Sequence, residues 1–120
     1  MKVIKDTDVE RIEAPKENFI GQGYLQWVIN DEKVSKQLQI AIVTFTPGAR
    51  TKDHIHHTSD QVLYVLEGRG ILSSDGSEEV VGPGTIIHIP MGERHWHGTR
   101  KDTSFTHISI LIPGKTTHYD

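Results

Sequence analysis

Apolar and polar positions alternate along this chain in short runs, and helical periodicity is nearly missing. The runs are YLQWVI at 24–29, LQIAIVTF at 38–45, QVLYVL at 61–66, GILSS at 70–74, EEVV at 78–81, TIIHIP at 85–90 and FTHISILI at 105–112. Most are rich in β-branched and aromatic residues, which pack well on a pleated surface. Turn chemistry separates them: NDEK, TPGA, EGRG, SDGS, GPG and PMGE. In SSDGSE the Asp-Gly pair tolerates the positive φ of a type I′ turn, a good hairpin signal. The N-terminal DTDVERIEAPKE offers at most a short turn, which Pro15 breaks early. Seven or more strands at this spacing, with no linker or obvious repeat, predict one all-β domain over residues 1–120, a sandwich or a barrel.

Composition narrows the partners. A chain of 120 residues supports one core but not two. Hydrophobic residues at 35% and charged residues at 24% place it among globular rather than disordered chains. A net charge of −3 provides no basic footprint, which argues against nucleic acid and anionic membranes as partners. No apolar stretch reaches the roughly 18 residues that a membrane span needs. The opening MKVIKDTDVERIEAPKENF lacks the apolar centre of a signal peptide, so the expected location is the cytoplasm. The absence of cysteine excludes disulfides and thiolate ligands, so any metal must be held by nitrogen and oxygen.

The histidines change the picture. Seven of the eight lie between positions 54 and 107. In DHIHHTSDQ, His54 and His56 share one face of a strand and Ile55 takes the other. The loop 57–60 follows, and an antiparallel return would bring a third donor opposite the pair, from Gln61 or from Asp60. In IPMGERHWHG, His95 and His97 repeat the same i, i+2 arrangement with Trp96 between them. A lone histidine is more often a surface or hydrogen-bonded core residue. Two such pairs on predicted strands point to a metal site. His57 and Glu67 are expected in solvent, His88 on the surface or against a partner, and Arg50, Tyr64 and Trp96 in packing roles.

The motifs G-x5-H-x-H-x4-Q-x6-G (Gly48, His54, His56, Gln61, Gly68) and G-x5-P-x-G-x2-H (Gly84, Pro90, Gly92, His95) resemble the two signature motifs of the cupins. With the strand pattern they cover roughly residues 38–112, leaving 1–37 as an N-terminal strand segment. The resemblance implies a small jelly-roll β-barrel with His54, His56, Gln61 and His95 as metal ligands, and a homodimer. PGART (47–51), GERHWHG (92–98) and THISI (106–110) are similar to the small single-domain manganese cupins that include bacterial hydroxynitrile lyases. That subgroup places Gln where Gln61 stands, and it implies that His97 and His107 line the pocket. The family's usual Glu is replaced by Gln61, its closing Asn falls on Thr99, and the loop before Gln61 is one residue longer than in the subgroup.

The donor set predicts a divalent ion and is compatible with Mn, Fe, Zn, Ni and Co alike; the resemblance implies manganese foremost. A neutral Gln61 leaves the centre its full divalent charge, which favours Lewis acidity over redox cycling. His107 and His97 have ordinary pKa values suited to moving a proton near neutrality. The expected function is a lyase-like or isomerase-like step on a small oxygenated molecule. A cupin dioxygenase and a small-molecule-binding module are the competing readings.

Overall fold

The computed structural model describes all 120 residues. After a single 3-10 turn at Asp6–Asp8 the chain forms only strands. They are β1 (Ile12–Glu13), β2 (Phe19–Ile20), β3 (Gly23–Ile29), β4 (Gln39–Phe45), β5 (Arg50–Thr51), β6 (His54–His56) and β7 (Gln61–Gly68). There follow β8 (Gly70–Ser74), β9 (Ser77–Val81), β10 (Ile86–Ile89), β11 (His95–Gly98), β12 (Phe105–Leu111) and β13 (Thr116–His118). Every pairing is antiparallel. One sheet runs β1-β3-β4-β12-β7-β10. In the other, β11 lies between β8 and the broken strand β5/β6, with β9, β2 and β13 outside them. Two antiparallel sheets closed around one interior make the jelly-roll barrel.

Alternation along the strands builds the interior. In β4, Ala41, Val43 and Phe45 point inward, and in β7 Gln61, Leu63 and Val65 do so. On β12 the inward row is Phe105, His107 and Ser109. The row therefore grades from an apolar end to a polar one. At the apolar end Phe45 and Phe105 stack with centroids 5.8 Å apart, beside Leu25, Val65 and Val81. Gly70 faces that stack so closely that a Cβ there would strike the Phe105 ring. The polar end belongs to the histidines.

Asp75 at φ 53° and Gly76 at φ 81° make the tight β8–β9 turn that the Asp-Gly signal predicts. Two features differ from the sequence expectation. β6 does not pair with β7; it pairs with β11 and β13, and the loop 57–60 carries the chain from one sheet to the other. Gln61 therefore approaches His54 and His56 from across the barrel rather than from the neighbouring strand. The C-terminal residues 116–118 also form a strand, β13, which lies along β6. The N-terminal segment pairs with its own barrel, β1 on β3 and β2 on β5.

Candidate metal centre

Four histidines meet at the polar end of the barrel. His54 and His56 come from β6 and His95 and His97 from β11, whose alternation places both of the latter inward while Trp96 faces out under Arg50. His95 sits directly opposite His54 in the β11–β6 ladder. The rings of His54 and His95 are 4.2 Å apart, those of His54 and His56 5.0 Å, and those of His56 and His95 5.6 Å. His54, His95 and His97 also form a triad, with one nitrogen of each within 4.8 Å of the others. A triad of this kind could hold a metal ion.

The hydrogen bonds decide which nitrogens face the centre. His54 Nδ1 donates to the Lys52 carbonyl at 2.8 Å, and His95 Nδ1 to the Glu93 carbonyl at 2.9 Å. A carbonyl only accepts, so each Nδ1 carries the proton and each Nε2 keeps its lone pair. His56 Nδ1 is bonded to Thr116 Oγ1 at 2.9 Å. His56 Nε2 and His97 Nε2 are buried with no hydrogen-bond partner. Buried polar atoms are normally satisfied. A bound ion would satisfy a buried, unpartnered imidazole nitrogen such as His56 Nε2.

Gln61 completes the ring from the opposite sheet. Its Nε2 donates to Ser109 Oγ at 2.8 Å, and its Oε1 stands 3.3 Å from His95 Nε2. Asp60, the alternative donor, faces away: it is exposed, pairs with His88 at 2.8 Å and accepts the Met91 N–H. His57 also points outward, to Thr117 Oγ1. Thr99 is buried, and its hydroxyl oxygen lies 2.9 Å from the carbonyls of both Arg69 and Thr103, which share its one proton in the loop after β11.

Electrostatics favour ligation. Burial, then the neighbouring His95, holds His54 well below the ordinary imidazole value. The same two causes bring His56 to about 4. Burial lowers His95 too, and burial followed by the nearby His107 pushes His97 far down. All four rings are thus neutral near pH 7, the form that binds a cation.

His107 is placed differently from the pocket-lining position implied by the resemblance. It is fully buried, packed against Phe45 and Phe105, and meets the site only through His97, whose Nδ1 is 2.9 Å from His107 Nε2. Burial lowers it to about 4, so neither ring is a proton donor near neutrality, contrary to the ordinary values assumed from sequence. His97 does line the cavity, which measures about 200 Å3 and is also lined by Trp27 and Phe19. Three residues with no sequence signal join the site: Ser109, Thr116 and His118. The His118 ring lies 5.2 Å from that of His54, tilted by 23°. Ser109 and Thr116 are unremarkable in sequence, and His118 stands apart from both clusters.

The fold and this cluster define a barrel built around an imidazole-lined pocket that could hold a metal ion. Residues 41–111 match the family described as the cupin domain, and the chain belongs to that family. It is 34% identical over 99 residues to the (R)-mandelonitrile lyase of Granulicella tundricola, covering 75% of each chain. It is 34% identical to the quercetin 2,3-dioxygenase of Bacillus subtilis over 56% of this chain, but that match spans only 20% of the dioxygenase. Among solved structures, a cupin-like protein of Thermotoga maritima superposes with a TM-score of 0.85 at 30% identity, covering 92% of this chain and 86% of that one. The polyketide cyclase RemF of Streptomyces resistomycificus superposes at 0.83 with 25% identity, over 100% of this chain and 86% of that one.

Proposed function

We propose that the protein is a metal-dependent, non-redox enzyme of lyase or isomerase type acting on a small oxygenated compound. One observation carries this reading: neutral imidazoles and Gln61 floor a cavity whose 17 lining residues include no Lys, Arg, Asp or Glu. Leu25, Ala41, Val43 and Leu111 suit an apolar substrate body, and the ion, held by neutral ligands, would supply the positive charge for a substrate oxygen.

In this reading His54, His56, His95 and Gln61 hold the divalent ion, manganese foremost. When bound, it supplies Lewis acidity to a substrate oxygen and lowers the pKa of a hydroxyl. His97 lines the cavity and would take the proton of a hydroxyl whose own pKa the bound ion had lowered below that of a buried imidazole. His107 accepts the Nδ1–H of His97 and so holds that ring in place. His107 acts through His97 and is a positioning residue.

The relatives named for dioxygenase activity support a second reading, in which the centre activates oxygen. Elemental analysis and assay of the purified protein distinguish them. The first reading expects one divalent ion per chain and turnover of neutral cyanohydrins, alcohols or carbonyl compounds without oxygen uptake; mandelonitrile, the compound in one relative's name, is the first candidate. Oxygen uptake would favour the second reading. Saturable ligand stabilisation without turnover would instead indicate a binding module.

The reading includes a homodimer. On the outward face of the first sheet, Ile42, Ile108, Tyr64 and Ile86 form one cross-strand row, and Ile40, Ile110 and Val62 the next. These seven positions carry no charge, and the second row ends at His88, opposite Val62 and paired with Asp60, so the apolar part of the face is bounded there. Four strands at about 4.8 Å spacing give a width near 20 Å, suited to the apolar centre of an interface burying about 800 Å2 per partner.

A further inference from the structure

The segment GKTTHYD at 114–120 belongs to neither histidine cluster, yet it tracks the metal-binding strand residue by residue. β13 pairs with β6 so that Thr116 lies opposite His56 and His118 opposite His54. Residues directly opposite in an antiparallel ladder share a face. Thr116 and His118 therefore stand on the side where His56 and His54 meet the cavity. Backbone bonds fasten the segment at both ends: His57 N–H to the Lys115 carbonyl at 3.0 Å, and Tyr119 N–H to the Asp53 carbonyl at 2.8 Å. Gly114 allows the approach, since a Cβ there would collide with Thr58 Oγ1.

The three histidines of the proposed ligand set are oriented in two different ways. His54 and His95 lean on a carbonyl two residues earlier in their own segments, Lys52 and Glu93. His56 has no such local support. Its Nδ1 reaches Thr116 Oγ1 at 2.9 Å, 60 residues away in sequence. Without that hydroxyl, only the side chain of Gln61, itself in the proposed ligand set, would remain to orient the His56 ring.

We propose that Thr116 is a positioning residue of the metal centre: it accepts the Nδ1–H of His56 and thereby turns the His56 Nε2 lone pair toward the ion. The inference rests on the metal-binding reading above. Hydroxyl and carbonyl partners of ligating imidazoles fix tautomer and ring direction, and their loss typically costs about 10–100-fold in metal affinity. Thr117, one position along the same strand, is the internal control, because its hydroxyl serves His57, which points away from the centre.

The test is Mn(II) titration of the full-length metal-free protein against a competing chelator, with Mn(II) electron paramagnetic resonance on the loaded samples and far-UV circular dichroism to verify folding. Thr116→Val is expected to bind Mn(II) about 10–100-fold more weakly with an altered resonance spectrum. Thr116→Ser is expected to recover most of the affinity, and Thr117→Val to match the native chain. Thr116→Ala repeats the measurement without a branched side chain should the valine disturb the edge strand. Native affinity and spectrum in both Thr116→Val and Thr116→Ala would overturn the proposal, as would an equal loss in Thr117→Val. If the native chain itself binds no divalent ion, the metal-binding reading fails first and this inference with it; if it binds and only the Thr116 effect is missing, the inference alone fails.

Discussion

Gln61 donates through Nε2 to Ser109 Oγ at 2.8 Å, and this bond turns its Oε1 toward His95 Nε2, 3.3 Å away. Ser109 thus selects which end of the carboxamide faces the imidazoles. Ser109→Ala removes the selection and leaves the amide free to present its N–H2 to the centre. Divalent-metal affinity is expected to fall about ten-fold or more by isothermal titration. Gln61→Glu, which adds a negative charge, is expected to bind the same ion more tightly than the native chain. Unchanged affinity in both variants would show that Gln61 is no ligand.

His97 lines the cavity and His107 stands behind it. With a substrate in hand, His97→Gln is expected to retain the metal by elemental analysis and lose about 10²–10⁴-fold in kcat. His107→Phe is expected to act in the same direction while removing no group that touches substrate. Full turnover in His97→Gln would assign the proton transfer elsewhere.

Acid is expected to destabilise the metal-free protein. The buried imidazoles are held below the ordinary value of 6.5, His56 and His107 at about 4. Above pH 6.5 neither folded nor unfolded chain binds these protons, so they do not affect stability there. As pH falls from 6.5 toward 4, the unfolded chain takes up protons that the native site refuses. Stability then declines by up to about 1.4 kcal/mol per pH unit for each such imidazole. Urea midpoints are expected to be level above pH 7 and to fall below 6.5. A midpoint independent of pH between 7 and 4.5 would contradict the buried, neutral assignment.

The apolar outer rows centre on Ile108 and Tyr64, which are cross-strand neighbours. Light scattering is expected to give twice the 13.5 kDa chain mass for the native protein. The double substitution Ile108→Lys/Tyr64→Lys is expected to give a monomer with its far-UV spectrum retained. A native monomer at micromolar concentration would remove the dimer.

Much of this architecture was legible in the sequence, and the reasons are local. The strands β3, β4, β7, β8, β9, β10 and β12 each carry enough alternating residues to display their period. The His-x-His pairs show their shared face by spacing alone. The two-residue strands β2 and β5, by contrast, carry too few positions for any period to register. Gln61 was identified by its place in a motif, but its route across the barrel was not, because pairing partners depend on which sheet a loop feeds. The contacts of Ser109 with Gln61 and of Thr116 with His56 span 48 and 60 residues. A serine or threonine hydroxyl carries no sign of so distant a partner, and the same holds for His118, which stands alone between Thr117 and Tyr119.

The most direct measurement is an anomalous-difference map from crystals of the protein loaded with Mn(II). One peak is expected at about 2.1 Å from Nε2 of His54, His56 and His95, with Gln61 Oε1 also in contact and His97 left free to face the cavity. No peak at the barrel's polar end, or an ion held by His54, His95 and His97 with His56 turned away, would contradict the metal centre described for this chain.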